Sequence, residues 1–318
     1  MRTPVTGIEP EELRRVLEAA CKVAARDIKA GKVADYIPAL ARVPSSKLGA
    51  AIVTVDGDVI LYGDAQEPFS IQSISKVFTL TMVLSAIGDS KRFWERVGRE
   101  PSGSAFNSIV QLEMEHGIPR NPLINAGAIV VSDVLHGVLK SKDTVSAVVD
   151  FMRQISQSPR VSVDPVVAES EAVAGFRNAS LANFLKSFRN LDHDVADVLH
   201  VYFNQCAIAM SCEELARASL YLAVEGDHPL TGSKVLSSSR TRRVNSIMLM
   251  CGHYDASGDF AFRVGLPGKS GVGGGIVAVA PGRAVIVVWS PGLNKHGNSH
   301  AGTIVLEHFA RQTGWSVF

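Results

Sequence analysis

Residues 50–62, AAIVTVDGDVILY, are the part of the chain that most clearly predicts a fold. Two runs rich in β-branched residues flank the dipeptide Asp56-Gly57. Asp-Gly between two such runs is typical of a two-residue turn in a β-hairpin. We therefore predict that residues 47–64 form two antiparallel strands.

The C-terminal part of the chain has further strand patterns. Asp259–Val264 is a short, mainly apolar run with two phenylalanines and a valine, which predicts one strand. Ile276–Ala280 and Ala284–Trp289 are apolar runs joined by Pro281-Gly282-Arg283, which predicts a second hairpin. Together with the N-terminal hairpin, these segments predict a five-stranded antiparallel sheet.

The middle of the chain has a different pattern. It has no hairpin signal, and its apolar residues recur at helical spacing in Asp143–Ile155, Leu181–Phe188 and Cys212–Val224. We predict a mixed α/β (α+β) chain in which residues 1–100 and 226–318 form the sheet domain. An all-helical domain, residues 101–225, is inserted between them, and the active site lies between the two domains. Further helices, Pro10–Ala30 and Ala301–Gln312, flank the sheet.

Composition excludes several classes of protein. Lys plus Arg is 32 and Asp plus Glu is 31, a balance that argues against a nucleic-acid partner. No apolar run is long enough to span a membrane, and the first residues carry no apolar segment of a secretory signal. The four cysteines show no CxxC spacing and are typical of reduced thiols. We expect a cytoplasmic protein.

Metal and nucleotide signals are weak. His296 and His300 are four residues apart, but no HExxH motif or Cys/His quartet accompanies them. The run Gly271-Val-Gly-Gly-Gly275 precedes a strand, whereas a dinucleotide-binding glycine motif follows one. We expect neither a metal nor a cofactor, and interpret the glycines as a tight entry to a strand.

The first motif that indicates chemistry is Ser73-Ile-Ser-Lys76, at the head of an apolar helical run. Residues three apart lie on one face of a helix, so Ser73 and Lys76 are expected to be neighbours. Serine needs a base to take its proton, and burial produces a neutral lysine amine by lowering its pKa. The alternative is that Ser73 caps the helix while Lys76 reaches solvent.

A second motif, Lys269-Ser270-Gly271, approaches the strand that begins at Ile276. An early S-x-x-K with a late K-[ST]-G is the pairing found in penicillin-recognising serine enzymes. There the late strand borders the pocket and supplies a cation and a backbone N–H. The two motifs together predict a serine acyl-transfer enzyme.

Taken in order, several segments resemble the serine-dependent glutaminase family, whose fold is β-lactamase-like. The resemblance extends from Gly31 to about Gly302. The segments that carry it are Gly31–Pro38, Gln72–Lys76, Glu100–Gly103, Asn121–Ala128, Cys251–Asp255, Gly265–Gly271 and Trp289–Ser299.

The resemblance implies roles for individual residues. Ser73 would attack the side-chain amide of L-glutamine and Lys76 would be its general base. Tyr254 would pass a proton to the leaving ammonia, and Tyr36 would line the same pocket. The backbone N–H groups of Ser73 and Val272 would form the oxyanion hole, with Lys269 and Ser270 supporting the pocket.

Substrate contacts are implied in the same way. The α-amino and α-carboxylate groups of glutamine would be held by Asn125, Glu171, Asn178 and Tyr202. A carboxylate suits the ammonium, and amide or phenol donors suit the carboxylate. Family members often have a second acidic residue two positions after the glutamate, where this chain has Val173. Glu169 is therefore a rival of Glu171 as the ammonium partner.

Three functions remain open from the sequence. The first is a glutaminase, implied by the resemblance to be a homodimer or homotetramer with L-glutamine as its substrate. The second is another penicillin-recognising type of serine acyl hydrolase. The third is a sensor or scaffold that binds an amino acid without turnover.

Overall fold

The fold is seen in a computed structural model that describes residues 6–103, 106–139 and 143–318. Its helices are α1 (Pro10–Ala24), α2 (Ser75–Ile87), α3 (Lys91–Arg96), α4 (Ile109–Met114), α5 (Asn125–Leu139), α6 (Thr144–Ser156), α7 (Pro165–Ala174), α8 (Phe176–Ser187), α9 (Val195–Cys206), α10 (Cys212–Ser219), α11 (Ser238–Cys251), α12 (Ser257–Arg263) and α13 (His300–Thr313). Its strands are β1 (Gly49–Thr54), β2 (Val59–Gly63), β3 (Phe69–Ser70), β4 (Ser162–Val163), β5 (Ile208–Met210), β6 (Gly268–Ser270), β7 (Gly275–Ala280) and β8 (Ala284–Trp289).

The main sheet has five antiparallel strands in the order β2-β1-β8-β7-β6. Strand β1 lies beside β8, with Gly49 opposite Trp289 and Thr54 opposite Ala284. The N-terminal hairpin therefore joins the C-terminal strands in one sheet. This confirms the predicted five-stranded antiparallel sheet, although one predicted strand was misplaced.

The misplaced strand is Asp259–Val264, which was predicted to be extended and lies largely in helix α12. Phe260 and Val264 are buried, whereas Phe262 between them is 91% exposed. Buried residues four apart fit one face of a helix as well as they fit one face of a strand. The fifth strand is instead β6, which is three residues long and has no β-branched residue to mark it.

The N-terminal hairpin is confirmed, but its turn is longer than the predicted two residues. Thr54 pairs with Asp58 through a backbone hydrogen bond, N to O, of 3.0 Å. Oγ1 of Thr54 also accepts from the backbone N–H of Asp58, at 2.9 Å. Three residues therefore lie between the paired positions, and Gly57 takes the left-handed conformation that the turn requires, φ +97°.

Helices cover both faces of the main sheet. Ile52, Ile286 and Val288 pack in one core with residues of α1 and α13, such as Leu17 and Phe309. Alternate strand residues such as Val53, Val279 and Val285 pack in a second core with residues of α2, α5, α9 and α10. Strands buried on both faces have continuous apolar sequences, which explains the runs in β7 and β8.

A second, small sheet has three strands in the order β3-β5-β4 and lies next to the start of α2. Ser70 is opposite Ala209, and Ile71 N donates to Ile208 O at 2.9 Å. This pairing ties the segment before α2 to the end of α9. Helices α2, α5 and α9 pack against one another beside it.

The helices predicted in the middle of the chain are confirmed within a few residues by α6, α8 and α10. The division into a sheet domain and an inserted helical domain stays a prediction. Within the described part of the chain, no helix has the length and apolar character needed to cross a membrane.

Candidate active site

Ser73, the predicted nucleophile, lies in a 3-10 turn, Gln72–Ile74, that leads directly into α2. Its side chain lines a cavity of about 100 Å³. Gln72 before it has φ +51°, a left-handed conformation that is uncommon for a residue with a long side chain. Backbone strain of this kind is concentrated at functional sites. Four residues, Ile71–Ile74, join strand β3 to helix α2, and the strained Gln72 is the second of them.

Lys76 is fully buried one turn after Ser73. Its Nζ donates hydrogen bonds to Oδ1 of Asn125 at 2.8 Å and to the carbonyl oxygen of Leu123 at 3.3 Å. Burial lowers the pKa of Lys76 to about 8, because the charged form loses its hydration. The alternative in which Lys76 reaches solvent is therefore wrong. A neutral Nζ that donates two N–H groups keeps its lone pair for a proton.

Asn125 connects this lysine to the far side of the cavity. It is the first residue of α5, and its Nδ2 donates to Oδ1 of Asn178 at 2.9 Å. Both ends of the Asn125 amide are thus used within the protein. The Nδ2 group of Asn178 has no hydrogen bond to any residue that the structure describes, so it is available to a ligand in the cavity.

Glu171 and Glu169 occupy different surroundings. Glu171 is buried and lines the same cavity as Ser73. Burial raises the pKa of Glu171 to about 7, while the nearby side-chain amide of Gln72 and the charge of Lys76 oppose the rise. Glu169 is exposed and lines a separate groove beside α9. Of these two glutamates, only Glu171 is placed to contact a ligand next to Ser73.

Tyr202 and Tyr36 form opposite parts of the cavity. Tyr202 is buried on α9, and Nζ of Lys76 lies 5.7 Å from the centre of its ring. Tyr36 is on a loop before the sheet and its side chain is 55% exposed. Tyr202 therefore lies at the inner end of the cavity and Tyr36 at its mouth.

Tyr254 is a second residue with strained backbone, φ +58°, and it is buried. Its ring packs against Phe106, with ring centres 4.7 Å apart. The hydroxyl forms no hydrogen bond of good geometry with the described residues, although the hydroxyls of Ser73 and Ser270 are near enough to oppose the effect of burial. The net effect raises the pKa of Tyr254 to about 12, so its hydroxyl keeps its proton.

Lys269 and Ser270 lie on β6, behind Tyr254. Nζ of Lys269 is 4.5 Å from the centre of the Tyr254 ring and donates to the carbonyl oxygen of Gly252 at 3.0 Å. Burial and the charge of Lys76 hold the pKa of Lys269 well below its usual range. The Ser270 hydroxyl donates to Oδ1 of Asn298. The two residues support the site without lining the cavity.

The glycine-rich loop between β6 and β7 packs on the backbone beside Ser73. A Cβ at Gly271 would lie 2.4 Å from the carbonyl oxygen of Ile71 and 3.3 Å from the backbone nitrogen of Ser73. A Cβ at Gly273 would lie 2.2 Å from the carbonyl oxygen of Ser70. The glycines are thus required for close approach of two backbones, and they bring Val272 to the wall of the cavity.

The structure brings most of the predicted residues to one cavity. Those that line it are Tyr36, Ser73, Asn125, Glu171, Asn178, Tyr202 and Val272. Lys76, Tyr254, Lys269 and Ser270 are buried around it. The cavity thus combines a serine with a buried lysine, a carboxylate and a set of amide and phenol groups.

Comparison with known sequences shows what kind of protein has this arrangement. A model of the glutaminase family matches residues 31–318. A glutaminase of Rhizobium leguminosarum bv. trifolii is 61% identical over 288 residues, covering 91% of this chain and 93% of the relative. This chain belongs to the glutaminase family. A thermolabile glutaminase of Rhizobium etli is 60% identical with the same coverage.

Solved structures of glutaminases share the β-lactamase-like fold of this family member. The probable glutaminase YbaS is 36% identical with a TM-score of 0.92, covering 98% of this chain and 99% of its own. A probable glutaminase from Bacillus subtilis, complexed with 6-diazo-5-oxo-L-norleucine, is 32% identical with a TM-score of 0.84. It covers 98% of this chain and 97% of its own.

Several residues that line this glutaminase-family site were missed in the sequence. Gln72, Phe106, Arg177 and Cys206 also line the cavity. Gln72 and Arg177 directly precede Ser73 and Asn178, and Cys206 is one helical turn after Tyr202. The signal that could have found these three residues was therefore their position next to a predicted site residue, either in sequence or one turn along a helix. Phe106 had no such signal, because a loop places it there.

The histidines weighed as metal ligands have other surroundings. Nδ1 of His296 lies 3.0 Å from Oδ2 of Asp255, and His300 begins α13. No group of three or more metal-ligating side chains occurs in the part of the chain that the structure describes.

Proposed function

We propose that this chain hydrolyses L-glutamine to L-glutamate and ammonia through an acyl-enzyme on Ser73. The observation that carries the proposal is the buried Lys76, whose Nζ donates to Asn125 and Leu123 one turn from the serine. Its pKa of about 8 makes an unprotonated amine accessible near neutral pH.

In the first step, the amine of Lys76 takes the proton of Ser73 while Oγ attacks the δ-carbonyl carbon of glutamine. The two hydrogen bonds donated by Nζ orient its lone pair away from Asn125 and Leu123. Orientation of this kind removes an entropic cost from the step.

Negative charge on the attacked oxygen is stabilised by the backbone N–H groups of Ser73 and Val272. The close packing of the glycine loop on residues 70–73 supports this assignment, because it holds the two backbones together before the substrate arrives. Donors fixed in advance need no reorganisation during the reaction.

Departure of ammonia needs a proton, and Tyr254 supplies it. Its pKa of about 12 keeps the phenol protonated, and the proton is replaced from the Lys76 ammonium. Water then attacks the ester, with the same base accepting its proton, and glutamate leaves. Tyr36 at the mouth contacts the reacting end of the substrate.

The amino-acid end of glutamine is recognised by opposite groups. The carboxylate of Glu171 accepts from the α-ammonium, and its burial strengthens that contact. Asn178 and Tyr202 donate to the α-carboxylate, while Asn125 holds Asn178 in place. The relative complexed with 6-diazo-5-oxo-L-norleucine supports a site for a linear amino acid.

The test is ammonia release from L-glutamine, with L-asparagine in parallel and a chelator present. We expect release by the unaltered chain and a loss of at least about 1,000-fold in kcat for Ser73→Ala and for Lys76→Ala. Circular dichroism of each variant controls for folding.

Two outcomes would favour the rival functions. Acylation of Ser73 by penicillin, with glutamine left intact, indicates a penicillin-recognising hydrolase. A higher melting temperature with glutamine but no ammonia indicates a sensor that binds without turnover.

We further propose that the protein works in the cytoplasm as a homodimer or homotetramer. All four cysteines are buried free thiols, which supports a reducing compartment. Phe176 at the start of α8 is 80% exposed and Val173 on α7 is also exposed, which supports burial against another subunit. Light scattering coupled to size-exclusion chromatography tests the subunit number, and a monomer contradicts the proposal.

A further inference from the structure

Asn298, in the loop before α13, carries a buried amide that none of the proposed reaction steps uses. Its side chain is almost fully buried, and its Nδ2 donates to the carbonyl oxygen of His253 at 3.2 Å. Its Oδ1 accepts from the hydroxyl of Ser270 at 2.5 Å. The amide therefore joins the residue before Tyr254 to strand β6.

The orientation of this amide is determined by the carbonyl group of His253. A backbone carbonyl can only accept a hydrogen bond, so the NH2 end of the Asn298 amide must face it. The other end, Oδ1, then faces Ser270, and an amide oxygen can also only accept. Ser270 must therefore be the donor, and it has a single hydroxyl proton to give.

A second acceptor near Ser270 is the carbonyl oxygen of Gly252, at 3.5 Å from Oγ. That oxygen already accepts from the backbone N–H of Ser270 at 3.1 Å and from Nζ of Lys269 at 3.0 Å. A carbonyl oxygen has two lone pairs, and both are in use. The hydroxyl proton of Ser270 therefore goes to Asn298.

The direction of this proton affects Tyr254, because the two hydroxyls of Ser270 and Tyr254 are close to each other. A serine that gives its proton to Asn298 cannot also donate it to the phenol oxygen. Among the residues that the structure describes, that oxygen has no hydrogen bond of good geometry. It therefore keeps a lone pair for the proton that returns from the Lys76 ammonium, after its own proton has left with ammonia.

The loop that contains Asn298 also packs on the ring of Tyr254. The backbone N–H of Asn298 donates to Oδ1 of Asn294 at 3.2 Å, and its carbonyl oxygen accepts from the backbone N–H of Asn294 at 2.8 Å. Gly297 lies between them, and a Cβ there would be 3.7 Å from the Tyr254 ring. Asn298 thus anchors both this loop and the carbonyl group that precedes Tyr254.

We propose that Asn298 is a positioning residue for Tyr254, which directs the Ser270 proton away from the phenol and keeps the phenol oxygen open to the proton from Lys76. The proposal rests on the proposed function, since the role of Tyr254 as proton donor belongs to it. Asn298 is not among the residues that line the cavity of Ser73. It acts on the reaction through Ser270 and Tyr254.

The experiment measures ammonia release from L-glutamine by Asn298→Ala, by Ser270→Ala and by the double variant. In Asn298→Ala the Ser270 proton loses its acceptor and turns to the phenol oxygen. We expect kcat to fall about tenfold, part of what a general acid contributes, with KM within about twofold of the unaltered chain. Ser270→Ala alone should reduce kcat less, because it introduces no competing donor.

The double variant distinguishes positioning from a purely structural role. Removal of the Ser270 hydroxyl also removes the proton that Asn298→Ala misdirects. We expect kcat of the double variant to return to within about twofold of Ser270→Ala alone, so the two losses are not additive. If Asn298→Ala does not fold, Asn298→Leu fills the same space without an acceptor and should show the same loss and recovery.

Asn190→Ala is the matched control. Asn190 is also a buried amide, and it donates to the backbone carbonyls of Arg96 and Gly117. Its replacement should lower the melting temperature without changing kcat, and the addition of Ser270→Ala should recover nothing. The melting temperature of every variant is measured alongside its kinetics.

The outcomes separate the two proposals. A double variant slower than both single variants overturns the positioning role and leaves the hydrolysis standing. An unchanged kcat in Asn298→Ala also overturns that role alone. No ammonia from the unaltered chain overturns the proposed function and the positioning role with it.

Discussion

A single amide, that of Asn125, connects the proposed base with the proposed binding site for the α-carboxylate. Its Oδ1 accepts from Lys76 and its Nδ2 donates to Asn178. Because an amide oxygen carries no charge, it leaves the pKa of Lys76 lowered by burial to about 8. We therefore expect kcat to rise with pH through about 8, as the lysine loses its proton.

Asn125→Asp tests this account at the same residue. A carboxylate 2.8 Å from Nζ favours the charged lysine and raises its pKa. We expect the rise of kcat to move to higher pH by at least about one unit, with activity recovering in more alkaline buffer. The pH dependence of kcat measures this directly.

Asn178→Asp is the matched control for that variant. This variant places the same charge beside the proposed substrate site but not in contact with Nζ of Lys76. It should raise KM and leave the pH at which kcat rises nearly unchanged. Identical pH profiles for the two aspartate variants would contradict a role of Asn125 in holding the base.

At the scale of elements, two loops that are far apart in sequence form one side of the proposed reaction centre. The turn before α2 carries Ser73, and the glycine loop between β6 and β7 carries Val272. Their backbones approach so closely that Gly271 has no room for a Cβ. The five-stranded sheet sets this approach, because β6 is its edge strand and lies beside the turn.

Gly271→Ala should therefore impair catalysis more than binding. The added methyl group would meet the carbonyl oxygen of Ile71, so the loop must move and displace the Val272 N–H. We expect kcat to fall about 100-fold, the lower end of the loss of one oxyanion donor, with a smaller change in KM. Steady-state ammonia release provides both constants. Gly258→Ala, on α12 with nothing within 4 Å of the new Cβ, is the control and should keep full activity.

At the scale of the whole molecule, the site buries charge that opposes folding. Glu171 has its pKa raised from 4.5 to about 7, which corresponds to about 3 kcal/mol of lost stability when the carboxylate is ionised. The folded form binds the proton more tightly, so this loss is absent below about pH 4.5 and complete above about pH 7. The buried Lys76, with its pKa lowered, opposes folding in the same way at neutral pH.

Glu171→Gln should consequently stabilise the protein while it impairs substrate binding. We expect the free energy of unfolding at pH 8 to increase by up to about 3 kcal/mol, with almost no change near pH 4.5. We also expect KM for glutamine to rise about 100-fold, since the α-ammonium loses its ionic partner. Urea unfolding at the two pH values and steady-state kinetics test both effects. Glu169→Gln, in the exposed groove, should change neither.

Much of this fold could be predicted because its patterns are local. Paired β-branched runs and apolar helical periodicity each depend on residues close in sequence, so the sheet and the helices α1, α6 and α13 were found. Asp259–Val264 was predicted to be a strand because a segment of six residues is too short to distinguish the two patterns. The two-residue period of a strand and the four-residue spacing of buried positions on a helix both fit it. Strand β6 was missed since Gly-Lys-Ser becomes a strand only by pairing with β7.

For the site, the sequence by itself determined which chemical groups are present and that Ser73 and Lys76 share a helix face. That spacing is a property of the helix alone. The tertiary structure decided the pKa of the proposed base, since packing against other segments buries Lys76 and burial lowers that pKa to about 8. It also placed Glu171 at the cavity and Glu169 in the separate groove beside α9, because the two residues lie on opposite sides of α7. A residue such as Phe106 enters the site only through packing between segments distant in sequence, and no local pattern encodes that proximity.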